Sequence, residues 1–201
     1  MILLVDHQDS FTRNLEHMLA DLDRVEVIDR KNISDRQIKE AEIIVLSPGP
    51  GKPDDYPETQ SLYRSLCGIK PIIGICLGFQ LMLQEEGGRI IRQSQVLHGV
   101  ETEIQTVDGS LTYSGLVSPI RVGRYHSLQI APDSLSLLTP SINITARDPI
   151  RQVPLSFEDT IRKLFGLQFH PESFLSVQGK RIIQNIHHAC VDKNGGTDQP
   201  S

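Results

Sequence analysis

Cysteine is scarce in this chain. Its 201 residues include three, Cys67, Cys76 and Cys190, far apart and with no Cys-x-x-Cys pair. That spacing leaves a zinc ribbon unsupported and implies no disulfide framework, which points to a reducing compartment. Long apolar runs are missing too, so no segment reads as a membrane span. The opening Met1-Ile2-Leu3-Leu4-Val5 meets Asp6 after five apolar residues, too few for the core of a secretion signal. Neither sign of charge dominates. The net charge is −5 and the charges form no long block, which argues against nucleic-acid and membrane-surface partners. Glycine and proline stand at ordinary levels, and apolar residues make up 38%. A collagen-like or disordered chain is thereby excluded. A chain of this length buries roughly 70% of its unfolded surface on folding and needs no staples. The expectation is one soluble, cytoplasmic domain over residues 1–190. Residues 191–201 are expected to form a flexible tail, since Asp192-Lys193-Asn194-Gly195-Gly196 and the residues after them show no apolar period.

What is present is an alternation of apolar runs and helical stripes. Ile2 to Val5, Val25 to Ile28, Ile43 to Leu46 and Ile72 to Ile75 read as strands. Phe11, Leu15, Met18, Leu19 and Leu22 recur at helical spacing, with Asp9 or Ser10 as the expected cap. Ser34 to Ala41 reads as a short helix, Leu62, Leu66 and Ile69 suggest another, and Leu77 to Glu86 a further one. Strands alternating with helices imply an open, mostly parallel α/β sheet covered on both faces. After Gly87-Gly88 the pattern changes. Segments 89–93, 101–107, 120–124, 142–147 and 163–169 read as strands without long helices between them, an antiparallel extension. A helix near Val177 to Ala189 closes the pattern.

One segment carries the strongest chemical signal. Ile72-Ile73-Gly74-Ile75-Cys76-Leu77-Gly78-Phe79-Gln80 is an apolar strand, a Gly-x-Cys-x-Gly turn and a helix start. That is a nucleophile elbow with cysteine in place of serine. A sharp turn strains the nucleophile's backbone, and a Cβ two residues to either side would collide. The sulfur of Cys76 would then sit over a helix N-terminus, which favours thiolate, and the Leu77 amide could face a developing oxyanion. A thiol nucleophile needs a base and a group to orient it. In Leu167-Gln168-Phe169-His170-Pro171-Glu172 an apolar strand ends at His170, and Glu172 shares its side in extended backbone. Ser47-Pro48-Gly49-Pro50-Gly51 follows a strand and offers unobstructed backbone amides to an anion. It lacks the Lys and Ser/Thr of a phosphate-binding P-loop. Loops after parallel strands gather at one sheet edge, which would bring Gly49, Cys76 and His170 together. Arg124-Tyr125-His126-Ser127-Leu128 reads as a binding loop or a strand end. His187, His188 and Cys190 read as a solvated helix face rather than a metal site, so no metal ligands are expected. Cys67 reads as structural.

Together these segments resemble the triad (class I) glutamine amidotransferases, and among them the small subunits of anthranilate synthase and aminodeoxychorismate synthase. The resemblance rests on Val5-Asp6-His7-Gln8-Asp9-Ser10-Phe11-Thr12, on the three segments around Gly49, Cys76 and His170, on Leu97-His98-Gly99 and on Arg124 to Leu128. It runs in order from Ile2 to about Ile186. It implies a flavodoxin-like amidotransferase fold with Cys76 as nucleophile, His170 as general acid/base and Glu172 as its orienter. The amides of Gly49 and Leu77 would form the oxyanion hole. Gly49, Pro50, Gly51, Gln80, Ser127 and Leu128 would hold L-glutamine. The implied partner is a chorismate-binding synthase subunit that receives ammonia. No cofactor is implied in this chain; the synthase partner would need Mg2+. Three residues depart from the family pattern: Phe79 where His is usual, Arg13 where an aromatic is common, and Val100 in place of Lys. Competing readings are a stand-alone γ-glutamyl thiol hydrolase, a non-catalytic subunit of the same fold and a flavodoxin-like nucleotide binder.

Overall fold

A computed structural model of the chain describes residues 1–192. Most of the expected tail lies outside the described residues. The first half is a parallel α/β array. Strands β1 (Ile2–Asp6), β2 (Val25–Asp29), β3 (Ile43–Leu46) and β4 (Ile72–Ile75) alternate with helices α1 (Thr12–Ala20), α2 (Asp35–Glu40), α3 (Pro57–Leu66) and α4 (Leu77–Glu85). The second half adds β5 (Ile90–Arg92), β6 (Val100–Thr106), β7 (Ile120–Arg124), β8 (Leu128–Ile130), β9 (Asn143–Arg147), β10 (Pro154–Asp159), β11 (Leu164–Leu167) and helix α5 (Gly179–Val191). Among the described residues one sheet has nine strands in the order β2-β1-β3-β4-β11-β10-β9-β6-β7, and β5 pairs with β8 in a separate ribbon. The pairs β1–β2, β1–β3, β3–β4 and β4–β11 are parallel. The pairs from β11 outward to β7 are antiparallel. The order in which successive strands are added reverses at β1, with β2 on one side and β3 on the other, a switch point of the kind at which open α/β sheets form a ligand crevice.

The central strands are apolar throughout because both faces are covered. Alternate residues feed two cores. Ile2, Leu4, Ile43, Val45, Ile73 and Ile75 pack against Leu15 and Leu19 of α1 and Ile182, Ile183 and Ile186 of α5. Leu3, Val5, Ile44, Leu46 and Ile72 pack against Tyr63 of α3 and Phe79, Met82 and Leu83 of α4. No helix among the described residues is long and apolar enough to cross a membrane.

Several elements differ from the sequence reading. Helix α1 begins at Thr12 with Phe11 at the cap position and no side-chain cap. Asp9 instead turns the preceding loop, its carboxylate accepting from the Phe11 amide at 2.9 Å. Ser34 does cap α2, through a reciprocal box with Gln37. Helix α3 stops at Leu66, so Ile69 lies beyond it and is 74% exposed. The sequence reading lacks β8 and β10 altogether. Strand β10 is hidden because Ser156, Glu158 and Asp159 look like surface residues, yet all six of its residues are buried. Glu158 is satisfied there by the Ser110 and Thr112 hydroxyls at 3.0 Å and the amides of Leu111 and Thr112 at 3.2 Å. Asp159 accepts from the Arg162 guanidinium at 2.6 Å.

A buried acceptor serving four donors leaves all of them stranded when removed, at about 1–3 kcal/mol for a buried unsatisfied group. Glu158→Ala is therefore expected to lower stability by about 3 kcal/mol, read as a fall in the urea midpoint at unchanged slope. A loss below about 0.5 kcal/mol, the range of an ordinary surface change, would contradict this account of β10.

Candidate active site

Only one residue separates β4 from α4. That residue, Cys76, has φ +51° and ψ −95°, a conformation non-glycine residues rarely adopt and one that costs on the order of 1–3 kcal/mol. Its amide donates to the Leu167 carbonyl at 2.8 Å, and its carbonyl accepts from the Gln80 amide at 3.1 Å, so both flanks are pinned. The tight joint depends on close backbone approach. A Cβ on Gly78 would lie 2.5 Å from the Leu46 carbonyl oxygen, and one on Gly74 would lie 2.6 Å from the Gly78 carbonyl carbon. Helix α4 thus rests directly on β3 and β4. Cys76 is 7% exposed and stands at the N-terminus of α4.

His170 follows β11. Its amide donates to the Gly123 carbonyl at 3.0 Å, and its own carbonyl accepts from the Ser176 hydroxyl at 2.6 Å. Its Nδ1 lies 2.8 Å from Oε1 of Glu172, with both side chains almost wholly buried. An ionised carboxylate only accepts, so Nδ1 donates and Nε2 is the nitrogen left for chemistry. That Nε2 is buried without a hydrogen-bond partner of its own. Burial works against a proton on the ring, but the Cys76 sulfur and then the Glu172 carboxylate outweigh it. His170 is held well above the ordinary imidazole range. Phe11 and Tyr125 pack against the ring at 4.9 and 5.0 Å.

The Ser47–Gly51 loop follows β3 and is braced by a residue the sequence reading did not single out as a site residue. His7, after β1, donates its amide to the Ser47 hydroxyl at 2.9 Å, and its ring bridges Ser47 and Thr59 at 3.1 Å each. Burial lowers its pKa to about 4. Gly49 has no room for a side chain, since a Cβ would lie 2.6 Å from the His7 Cβ and 2.5 Å from Leu77 Cδ2. Gly49 is therefore pressed against the first residue of α4, whose amide has no acceptor inside the helix.

The segment from Arg124 to Leu128 forms the opposite wall. Arg124, 1% exposed, pairs with Asp148 at 2.6 Å. Its Nε donates to His126 Nε2 at 3.1 Å, so the His126 proton sits on Nδ1, which donates to the Leu128 carbonyl at 2.7 Å. Burial, and then Arg124, lower the His126 pKa to about 3. Gln80 also donates to the Leu128 carbonyl, at 3.4 Å. Between these walls lies a cleft of about 160 Å³ lined by Gly49–Gly51, Cys76, Leu77, Gln80 and Tyr125–Leu128. Every residue expected to form the site thus borders the cleft, except His170, which lies beside the Cys76 sulfur, and Glu172, which reaches the site through His170 Nδ1. A larger hollow of about 790 Å³ lies beside Lys163 and α5, at the other end of β11. Cys190 is buried in the core with its thiol pushed up to about 12 by burial, and Cys67 packs against Tyr63, Glu86 and Arg162.

The model of the family "Glutamine amidotransferase class-I" matches residues 3–190. The chain is 38% identical over 191 residues to aminodeoxychorismate synthase component 2 of Escherichia coli K12, covering 94% of this chain and 100% of that protein. It is 36% identical to anthranilate synthase component 2 of Lactococcus lactis, covering 92% and 93%. The chain belongs to the class-I glutamine amidotransferase family. A solved glutamine amidotransferase of Thermotoga maritima shares the fold at a TM-score of 0.76 and 16% identity, covering 96% and 98% of the two chains. In this amidotransferase the departures from the family pattern stand apart from the cleft lining. Phe79 is fully buried 5.7 Å from Phe157, Arg13 pairs with Glu16 on the surface of α1, and Val100 is 39% exposed on β6.

His170 holds its proton more tightly in the folded chain than in the unfolded one. That contribution to stability is complete below about pH 6.5 and is lost as pH rises through the raised folded value. Glu172→Gln is expected to move the His170 titration midpoint downward, followed by NMR of its ring protons. An unmoved midpoint would show that Glu172 does not stabilise the imidazolium.

Proposed function

We propose that this chain hydrolyses L-glutamine at Cys76 and supplies the ammonia to a chorismate-using synthase subunit. The observation that carries the reading is the commitment of His170 Nδ1 to Glu172, which leaves Nε2 with no neighbour to serve but the sulfur of a strained cysteine at a helix N-terminus. The family membership and the component 2 names of the relatives support it. Both synthase names occur at similar identity, so the partner is proposed at the level they share, a subunit acting on chorismate.

In this reading the Cys76 thiolate attacks the carboxamide carbon of glutamine. The Gly49 and Leu77 amides receive the oxyanion, a contribution worth on the order of 3–4 kcal/mol per donor in comparable sites. Gln80, Ser127, Leu128 and the Gly49–Gly51 loop hold the substrate's other polar groups. The C–N bond breaks as imidazolium His170 gives its Nε2 proton to the departing nitrogen, which leaves as ammonia. A γ-glutamyl thioester and neutral His170 remain. Water then gives a proton to His170 and its oxygen to the carbonyl carbon. The C–S bond breaks, glutamate departs and the thiolate–imidazolium pair is restored. The nucleophile, the acid/base and the oxyanion donors of this scheme all belong to the chain, so it calls on no cofactor here. Any Mg2+ requirement falls to the synthase partner.

The test is ammonia release from L-glutamine by the purified chain, alone and with a chorismate-using synthase subunit. The expected result is slow release alone, faster release in the complex, and a fall of roughly 1,000-fold or more in Cys76→Ser. Release that Cys76→Ser leaves intact, or none in either condition, would overturn the reading.

A further inference from the structure

Gln168 is the one polar side chain in the apolar run Leu164–Phe169, and it is fully buried. Burying a carboxamide is unfavourable unless its polar atoms are paired. Both are. Its Oε1 accepts from Gln80 Nε2 at 3.0 Å, and its Nε2 donates to the Cys76 sulfur at 3.7 Å. The backbone is fixed as well, the Gln168 amide donating to the Leu155 carbonyl at 2.9 Å.

The orientation of this amide follows from its neighbours. The Leu128 carbonyl can only accept, so Gln80 must turn its NH2 group there. The same NH2 reaches Gln168, which must therefore present oxygen to Gln80 and nitrogen to the sulfur. The Leu128 carbonyl also accepts from His126 Nδ1, and Arg124 donates both to His126 Nε2 and to Asp148. A connected set of hydrogen bonds thus joins a buried ion pair to the cleft wall, and from Gln80 onward it runs one way, through Gln168 to Cys76.

We propose that Gln168 is a further member of the reacting centre, donating a hydrogen bond to the Cys76 thiolate and tying that thiolate to the glutamine cleft through Gln80. The inference rests on the glutaminase reading for its effect on turnover, but the contact itself concerns the sulfur alone. A donor to sulfur is strengthened when the sulfur is charged. It favours the thiolate that attacks glutamine and the thiolate that leaves the acyl intermediate. The thioester sulfur between these steps carries no charge, so the donor acts on the two charged states and not on the intermediate.

Two variants separate this role from packing. Gln168→Glu keeps the shape and the acceptor for Gln80 but places a carboxylate against the sulfur. Gln168→Met removes both hydrogen bonds. The first readout is Cys76 alkylation by iodoacetamide across pH, located by peptide mass. The second is kcat and KM for glutamine, with thermal unfolding as the check on folding. Both variants are expected to shift the alkylation profile to higher pH by about one unit or more and to lower kcat roughly 10- to 100-fold, the effect of one charge-assisted hydrogen bond. KM is expected to hold within about threefold in Gln168→Glu and to rise in Gln168→Met, which strands Gln80. Folded variants whose alkylation profiles superimpose on the unsubstituted protein would overturn the proposal, whatever happens to kcat. So would failure of even the near-isosteric Gln168→Glu to fold, which would assign the residue to structure. An unsubstituted protein that does not hydrolyse glutamine would sink the glutaminase reading, while the alkylation profiles would still decide whether Gln168 acts on the sulfur.

Discussion

The contact between Gly78 and the backbone of Leu46 sets the position of everything that reacts. It lets α4 sit on the ends of β3 and β4 with no side chain between. A helix that close leaves room for a single joining residue, and Cys76 takes a positive φ because no relaxed conformation makes the turn. A strain on the order of 1–3 kcal/mol is tolerable in a domain whose net stability is roughly 5–15 kcal/mol, provided the flanks are firmly held. They are held by the parallel pairing of β4 with β3 and β11, and by apolar packing on both faces of the sheet. The same pairing carries His170 and Gln168 to the sulfur, since both follow β11 where it runs beside β4.

Histidines of similar burial take opposite protonation states around this joint. His170 is pushed toward imidazolium by Cys76 and Glu172, while His126 faces Arg124 and stays neutral. Burial alone drives all of them toward neutrality; the charge beside the ring decides which one resists. The neutral rings serve as fixed donor–acceptor bridges. His7 braces the Gly49 loop, and His126 holds the Leu128 carbonyl. The charged ring is the one with a free nitrogen at the sulfur. As base groups with depressed folded values, His7 and His126 favour the fold above about pH 6.5 and progressively less as pH falls toward about 4 and 3.

Much of this was legible in the sequence wherever a rule of backbone sterics applied. Glycines flanking Cys76 at a strand–helix junction foretold the joint, and uninterrupted apolar runs foretold the parallel sheet. The elements that escaped are those whose logic lies in distant partners. Strand β10 carries carboxylates that are buried only because the 110–112 loop and Arg162 satisfy them. Gln168 appeared as one letter of a motif, although a lone amide in an apolar strand was a signal that it bonds something buried. His7 gave no local sign of the Ser47 and Thr59 hydroxyls that it bridges. Asp9 has the composition of a helix cap, yet its carboxylate is used one turn earlier.

The central claim is that the strained joint makes Cys76 an acyl acceptor. Mixing the chain, in the presence of a chorismate-using synthase subunit, with L-glutamine and quenching in acid within the first turnover should preserve the acyl-enzyme for peptide mass analysis. The account predicts a γ-glutamyl group on the peptide that carries Cys76, none on those carrying Cys67 or Cys190, and loss of the adduct on treatment with hydroxylamine. Glutamine turnover with no acyl group on Cys76 at any quench time, or with the group on another residue, would contradict it.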